Sequence, residues 1–322
     1  MKVIVTGATG FIGRHLIDRL LARGFEVWAL VRDPAKAAEL KKRNVRPLPG
    51  DLFSIPALPD GFDLVYHLAG CTRSLKAAAY YNVNQMGTAS LCRALAGTGR
   101  TGFQLVLLSS LAACGPSAAD GPIRESDPPH PVSAYGRSKL LGEQEALKHS
   151  GRFRLVILRP SAVYGPGDRD FVEYFRMIEK AFFPIVRKQK TASLCYVKDV
   201  AEALALCAGR DIPSGEVINI AGPETQDWEQ MGDAAVRAMG IRPRKVRISL
   251  GVLHAAAVAS EVRSLLTGNI SLFSRDKYKE LIQPGWVADT AKAREILSFE
   301  ARTPVEAGMR ETISWYREQG WL

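Results

Sequence analysis

Three glycines spaced three apart, Gly7, Gly10 and Gly13, separate an apolar run, Lys2 to Thr6, from a segment whose apolar residues recur at helical spacing. Glycine weakens strands and helices alike, so this density marks a place where the backbone turns tightly or lies close to something. In a strand, turn and helix, Gly7 takes the tight turn, Gly10 lets the backbone approach a diphosphate, and Gly13 lets helix and strand pack together. The free N–H groups at the helix start then face phosphate oxygens. Beyond the turn, Phe11, Ile12, Leu16, Ile17, Leu20 and Leu21 keep one helix face apolar, and Gly24 ends it.

The pattern repeats. A strand is predicted over Glu26 to Val31, followed by a polar helix from Pro34 that Pro47 bounds; FDLVYHLAG, FQLVLLSS and FRLVILRP read as further strands. Helices are predicted over Tyr80 to Leu95 and from Ser133. Apolar strands alternating with helices predict an α/β fold with a Rossmann-type, doubly wound parallel sheet. Past Arg159 the rhythm loosens, although EVINIAG at Glu216 still reads as part of the sheet. The expected division is a dinucleotide-binding domain at 1–165 and a smaller, mixed α/β substrate part at 166–322, with about 190–222 returning to the nucleotide domain. The apolar stretch ISLGVLHAAAVA reads as a core helix, or else as the wall of a greasy pocket.

The five cysteines have no CxxC spacing and the five histidines no HxxxH, so buried free thiols are expected, with neither disulfide nor metal. The formal charge of +10 is dispersed in short basic groups without interleaved aromatics. That pattern argues against nucleic acid and for solvated surface or an anionic small-molecule ligand. Met1-Lys2 leads straight into a strand and no apolar run reaches membrane-spanning length, so a cytoplasmic enzyme without stable membrane insertion is expected.

At the end of the second predicted strand, VWALVRDP sets Arg32 just past Val31, with Asp33 next. A guanidinium there welcomes the 2′-phosphate of NADP, whereas a carboxylate accepts hydrogen bonds from the ribose of NAD. Arg32 points to NADP as the cofactor; Asp33 keeps NAD open. Further on, SAYGRSK sets Tyr135 and Lys139 four residues apart, on one helix face. A cation beside a phenol favours phenolate and lowers the tyrosine pKa. Tyr135 is then the group that takes a hydroxyl proton as hydride leaves for nicotinamide, or returns it when a ketone is reduced.

Together these segments resemble the extended short-chain dehydrogenase/reductase family, which includes nucleotide-sugar epimerases, dihydroflavonol reductases and hydroxysteroid dehydrogenases. The GxxGxxG turn and the VRDP stretch carry the likeness. The resemblance implies that Gly7, Thr9, Gly10, Phe11, Ile12 and Gly13 hold the dinucleotide, that Asp51 and Leu52 in PGDLFS contact adenine, and that Leu68, Ala69 and Gly70 turn beside the diphosphate. His67 before them reads as structural. The resemblance also implies that Ser110, five residues before Gly115, binds the substrate oxygen, with Ser109 as the alternative and Lys139 also holding the nicotinamide ribose. Asn84 orders the loop beneath the site, and Pro160, Ala162 and Val163 in LRPSAVYGPGD pass near the nicotinamide. A homodimer through the helices near Tyr80 to Leu95 and Ser133 to Leu147 is implied as well.

Departures from the family pattern narrow the chemistry. The sugar dehydratases carry an acidic pair directly after the catalytic hydroxyl residue, where this chain has Leu111 and Ala112, so dehydration is not expected. Cys114 replaces a tyrosine, as packing or as a more apolar pocket wall. Arg187, Lys188, Lys190 and Arg263 remain candidates for clamping a diphosphate. The expected function is NAD(P)-dependent interconversion of a secondary alcohol and a ketone. A nucleotide-sugar epimerase with tightly bound NAD is the alternative, and a non-enzymatic NADP sensor a third reading.

Overall fold

Strands made of Val, Ile and Leu can bury both faces only inside a layered sheet. In the computed structural model, which describes residues 1–118, 121–186, 191–268 and 273–322, they do so. The strands are β1 (Lys2–Thr6), β2 (Glu26–Val31), β3 (Arg46–Pro49), β4 (Leu64–His67), β5 (Gln104–Leu108), β6 (Arg154–Pro160), β7 (Ala162–Tyr164), β8 (Phe182–Val186), β9 (Thr191–Tyr196), β10 (Glu216–Ile220), β11 (Thr225–Asp227), β12 (Arg244–Ile248) and β13 (Gly285–Trp286). Seven of them form one parallel sheet in the order β10-β6-β5-β4-β1-β2-β3. The expected Rossmann-type sheet is therefore present.

The helices of the first half are α1 (Phe11–Ala22), α2 (Pro34–Lys42), α3 (Ala77–Tyr80), α4 (Thr88–Gly97) and α5 (Ala134–Leu147). Those of the second are α6 (Val172–Glu179), α7 (Val197–Leu206), α8 (Trp228–Met239), α9 (Leu250–Thr267), α10 (Arg275–Leu281), α11 (Ala291–Leu297) and α12 (Val305–Glu318). Alternate residues of β1 feed opposite core layers, as the two-residue strand period requires. Val3 and Val5 pack with Leu16, Ile17 and Leu20 of α1, while Ile4 packs with Leu91 and Leu95 of α4. The first layer is closed by Ala293, Leu297 and Phe299, from near the end of the chain.

A second sheet, β11-β9-β13 with β7 on β9, and a two-stranded pair, β12-β8, carry the rest. Their core gathers Tyr164, Phe175, Phe183, Met231, Met309 and Tyr316. Of the segment expected to return to the nucleotide layer, β10 joins the main sheet and α7 packs into its core through Val200 and Leu204, whereas β9 stays in the second sheet.

Two elements differ from expectation. The helix predicted over Tyr80 to Leu95 is interrupted by a π-helical turn at Tyr81–Gly87. More strongly, α9 is not a core helix: only Ala257 and Ser264 are buried along it. Its apolar composition fitted a core, but only one narrow edge meets the protein. The remainder faces outward, and among the described residues no helix is long and apolar enough to cross a membrane.

Candidate active site

The glycine turn after β1 is held by geometry that no side chain tolerates. Gly7 has a φ of +73°, and a Cβ there would lie 2.5 Å from the Ala69 nitrogen. A Cβ on Gly13 would lie 2.2 Å from the Gly7 carbonyl oxygen, so the first turn of α1 rests directly on the loop. Gly10 is exposed, and its N–H donates to the Gly7 oxygen at 2.9 Å. No side chain caps the first turn of α1. Uncapped N–H groups beside exposed backbone form a cradle that fits a diphosphate. Thr9, Phe11 and Ile12 border it, each half-buried.

Under this turn lies a buried polar chain. Thr6 Oγ1 meets His67 Nδ1 at 2.7 Å, and His67 Nε2 meets Thr88 Oγ1 at 3.0 Å. Thr88 spends its only hydroxyl proton on the Asn84 carbonyl, at 2.7 Å. His67 must therefore donate from Nε2 and accept at Nδ1, which is the neutral imidazole. Burial agrees, lowering its pKa to about 3. His67 is structural, as the sequence suggested; with Thr6 it steadies the Leu68–Gly70 turn, whose Ala69 N–H donates to Thr6 Oγ1 at 3.2 Å.

Asn84 sits in the π-helical turn and binds in three directions. Its Nδ2 donates to the Cys71 carbonyl and to Ser138 Oγ, both at 2.9 Å, and its Oδ1 accepts from Cys71 N at 2.8 Å. π-Helical turns are frequent at functional sites because the extra residue re-aims a side chain. Here it joins the loop after Gly70 to α5, the helix bearing Tyr135 and Lys139. A Cβ on Gly70 would lie 3.2 Å from Asn84 Oδ1 and 3.8 Å from Lys139 Nζ, so the turn expected to hold the diphosphate and Lys139 converge.

α5 begins at Ser133, whose Oγ accepts from Gly136 N at 2.9 Å. Tyr135 lies against Ser110, which is itself the cap of the short turn Leu111–Ala113. Burial pushes the Tyr135 phenol up to about 12, while the hydrogen bond with Ser110 pulls the other way. The expectation that Lys139 lowers this pKa is corrected: the net shift is upward, and the cation that pulls it down is Lys277. Lys139 directs its ammonium to the Leu108 carbonyl at 2.7 Å, and burial brings its own pKa down to about 8. A phenol that keeps its proton across neutral pH is a proton donor.

Two parts of the site went unread in the sequence. Glu143, one further helical step along the Tyr135 and Lys139 face, is buried and bound bidentately by Arg159 at 2.9 and 2.6 Å, and it accepts from Ser109. Ser109 is thus occupied, which leaves Ser110 to face the tyrosine. The spacing of four was available as a signal. From α10, Asp276 accepts from Ala134 N at 2.8 Å and from Tyr135 N at 3.2 Å, and Glu280 accepts from Ser133 Oγ at 2.7 Å. Two carboxylates at the N-terminus of α5 complement its dipole. No local pattern links these residues to Tyr135 across 141 positions.

The remaining candidates are placed as follows. Arg32 is exposed at the end of β2, while Asp33 caps α2 by accepting from Ala35 N at 2.8 Å. Asp51 Oδ1 accepts from Phe53 N and Ser54 N at 2.7 and 2.8 Å, and buried Leu52 packs on Gly87. Pro160 is buried, Ala162 exposed and Val163 half-buried at the turn from β6 to β7. Cys114 is buried with Leu111 and Ile123. Arg187, Lys188 and Lys190 lie outside the described residues, and Arg263 is exposed on α9.

Comparison with known proteins follows the same lines. A family profile described as NAD dependent epimerase/dehydratase family matches residues 3–221. The chain is 30% identical over 327 aligned positions to the ceramide reductase of Caulobacter vibrioides, covering 99% of this chain and 96% of that one. It is 28% identical over 274 positions to the 4-hydroxy-2-methyl-3-oxo-4-farnesyl-3,4-dihydroquinoline-1-oxide ketoreductase of Stigmatella aurantiaca, covering 81% and 80%. The solved structure of MoeE5 in complex with UDP-glucose and NAD superposes with a TM-score of 0.77 at 27% identity, over 99% of each chain.

Proposed function

The chain belongs to the NAD dependent epimerase/dehydratase family, and from that premise we propose that it reduces a ketone on a largely apolar, lipid-like substrate, with NADPH as hydride donor. The observation that carries the reading is the half-buried phenol of Tyr135, hydrogen-bonded with Ser110, next to Leu111 and Ala112. These two apolar side chains cannot move protons, so the site is limited to alcohol and ketone chemistry. The ceramide reductase and the farnesylated-quinoline ketoreductase among the relatives support an apolar substrate.

When bound, a nicotinamide cofactor supplies or takes the hydride. The cradle of Gly7, Gly10 and the α1 N-terminus holds the diphosphate, with Asp51 and Leu52 beside the adenine and Pro160, Ala162 and Val163 beside the nicotinamide. Arg32 meets the 2′-phosphate, because Asp33 is already committed to capping α2. Ser110 holds the substrate oxygen and Tyr135 delivers its phenolic proton to it. Lys139 holds the ribose hydroxyls and keeps a positive charge behind the tyrosine. Residues 1–165 serve mainly the dinucleotide and 166–322 mainly the substrate. The molecule pairs through α4 and α5.

The test is turnover of long-chain ketones by the purified chain with NADPH. Tyr135→Phe lowers kcat by about 10²-fold or more while cofactor affinity holds. Loss of turnover without loss of NADPH binding in the parent chain would favour a sensor instead. A second reading, epimerisation of a nucleotide sugar, is favoured by the likeness to MoeE5 with UDP-glucose and NAD. With the alcohol as substrate and oxidised cofactor, a deuterium label on the carbinol carbon that returns to the same molecule identifies the epimerase; one that leaves on released cofactor identifies the reductase.

A further inference from the structure

α9 is the element whose chemistry the catalytic site leaves unexplained. At about 100° per residue, its inward edge is a narrow line holding Leu250, Leu253, Ala257 and Ser264. The opposite arc is apolar and open to solvent. Val252, Val258, Val262, Leu265 and Leu266 are 60%, 36%, 50%, 68% and 82% exposed. Single exposed apolar residues need no explanation, but a continuous apolar face along an 18-residue helix marks a binding surface.

The charges around this face say what covers it. Arg263 is exposed beside Val262, and Arg242, Arg244 and Arg247 are exposed on the segment that feeds the helix. None of these four has a carboxylate partner among the described residues. The nearby acids are already matched, Glu229 and Asp233 by Lys245 and Glu261 by Arg275. An apolar face that carries one unmatched arginine, Arg263, with three more exposed on the segment leading into the helix, complements a surface that is both oily and anionic. A two-fold pairing of the same face with a second copy would bring like charges together. The helix is about 27 Å long and faces outward over most of its surface, a shape suited to a plane.

α9 is also joined to the catalytic centre. His254 packs on Tyr278 of α10 with ring centroids 5.1 Å apart, and the Tyr278 hydroxyl donates to the Leu250 carbonyl at 3.3 Å. α10 in turn holds the start of α5 through Asp276, at the backbone of Tyr135 itself. We propose that the outward face of α9 docks on an anionic membrane surface, from which the site draws its lipid ketone. The identity of the substrate rests on the reductase reading above; the docking does not.

Flotation of the full chain with phosphatidylcholine vesicles, with and without phosphatidylglycerol, tests the proposal. The chain is expected to float with the phosphatidylglycerol vesicles and to be released as salt rises. Leu265→Glu combined with Leu266→Glu is expected to lower partitioning by about tenfold or more, and Arg263→Glu to lower it selectively for the anionic vesicles. NADPH affinity, read by fluorescence on the same samples, stays unchanged in both variants. A parent chain that does not float, or a double variant that floats equally well, overturns the proposal. So does a dimer that the double variant converts to monomer, which assigns the face to a second copy. A chain that floats but reduces no ketone upholds the docking and removes the substrate reading alone.

Discussion

Lys139 donates a hydrogen bond from Nζ to the carbonyl oxygen of Leu108 at 2.7 Å, which ties α5 to the end of the central strand β5. Burial lowers the lysine to about 8 while Tyr135 stays protonated to about 12. The ammonium is present below the first value and lost above it. The rate of ketone reduction is therefore expected to fall as pH rises past about 8, through Lys139 rather than Tyr135. In Lys139→Arg, which stays charged, the alkaline limb near 8 disappears from the profile of kcat against pH, whatever the absolute rate.

Arg32 is free at the surface, whereas Asp33 is spent on the α2 cap. Arg32→Ala is expected to raise the KM for NADPH by about tenfold or more and to leave that for NADH nearly unchanged, the size of a lost charge-assisted hydrogen bond. Steady-state kinetics with both cofactors measure this directly. Equal effects on the two would remove Arg32 from the phosphate site.

The Glu143 and Arg159 pair is almost wholly inside the protein, with side chains 2% and 7% exposed. Glu143→Leu strands a buried guanidinium and is expected to cost about 3–5 kcal/mol in urea unfolding. Combining it with Arg159→Met removes both charges and is expected to recover much of that loss. A double variant as unstable as the single one would mean that the pair also anchors something beyond itself, such as Ser109.

His67 remains neutral to about 3, against 6.5 when unfolded. Between these values the unfolded chain binds a proton that the folded chain refuses. Stability contributed by the neutral ring is complete above 6.5 and is lost as pH falls, by about 1.4 kcal/mol per unit. His67→Gln is expected to flatten the dependence of unfolding free energy on pH by about that slope between 6 and 4. Denaturant titrations at matched pH values read the difference.

The nucleotide half was legible because its signals are local. Gly7, Gly10 and Gly13 each occupy a position that excludes a Cβ or leaves the backbone open, and the strand and helix around them follow from periodicity alone. Tyr135, Lys139 and Asn84 are named from spacing and likeness, and the structure sets Asn84 and Lys139 beside Gly70. Glu143 was within reach of the same reasoning. Asp276 and Glu280 were not, since a polar heptapeptide carries no mark of the helix end that it will meet. The misreading of α9 has a related cause: hydrophobic content reports the tendency to leave water, not the identity of the surface that receives it. The lowered tyrosine pKa failed because proximity in sequence says nothing of where an ammonium is directed, nor of how deeply a phenol is buried.

The carboxylates of α10 at the head of α5, and the packing of Leu297 and Phe299 into the first core layer, bear on how such chains can be recombined. A chimera spliced near residue 165 would inherit a dinucleotide sheet whose hydrophobic seal and whose tyrosine clamp were both shaped for another tail. The two halves are therefore not expected to exchange as independent modules. A change of substrate preference in this lineage must travel by point substitution inside an intact chain, or by exchange of the far segment together with the surfaces that it grips.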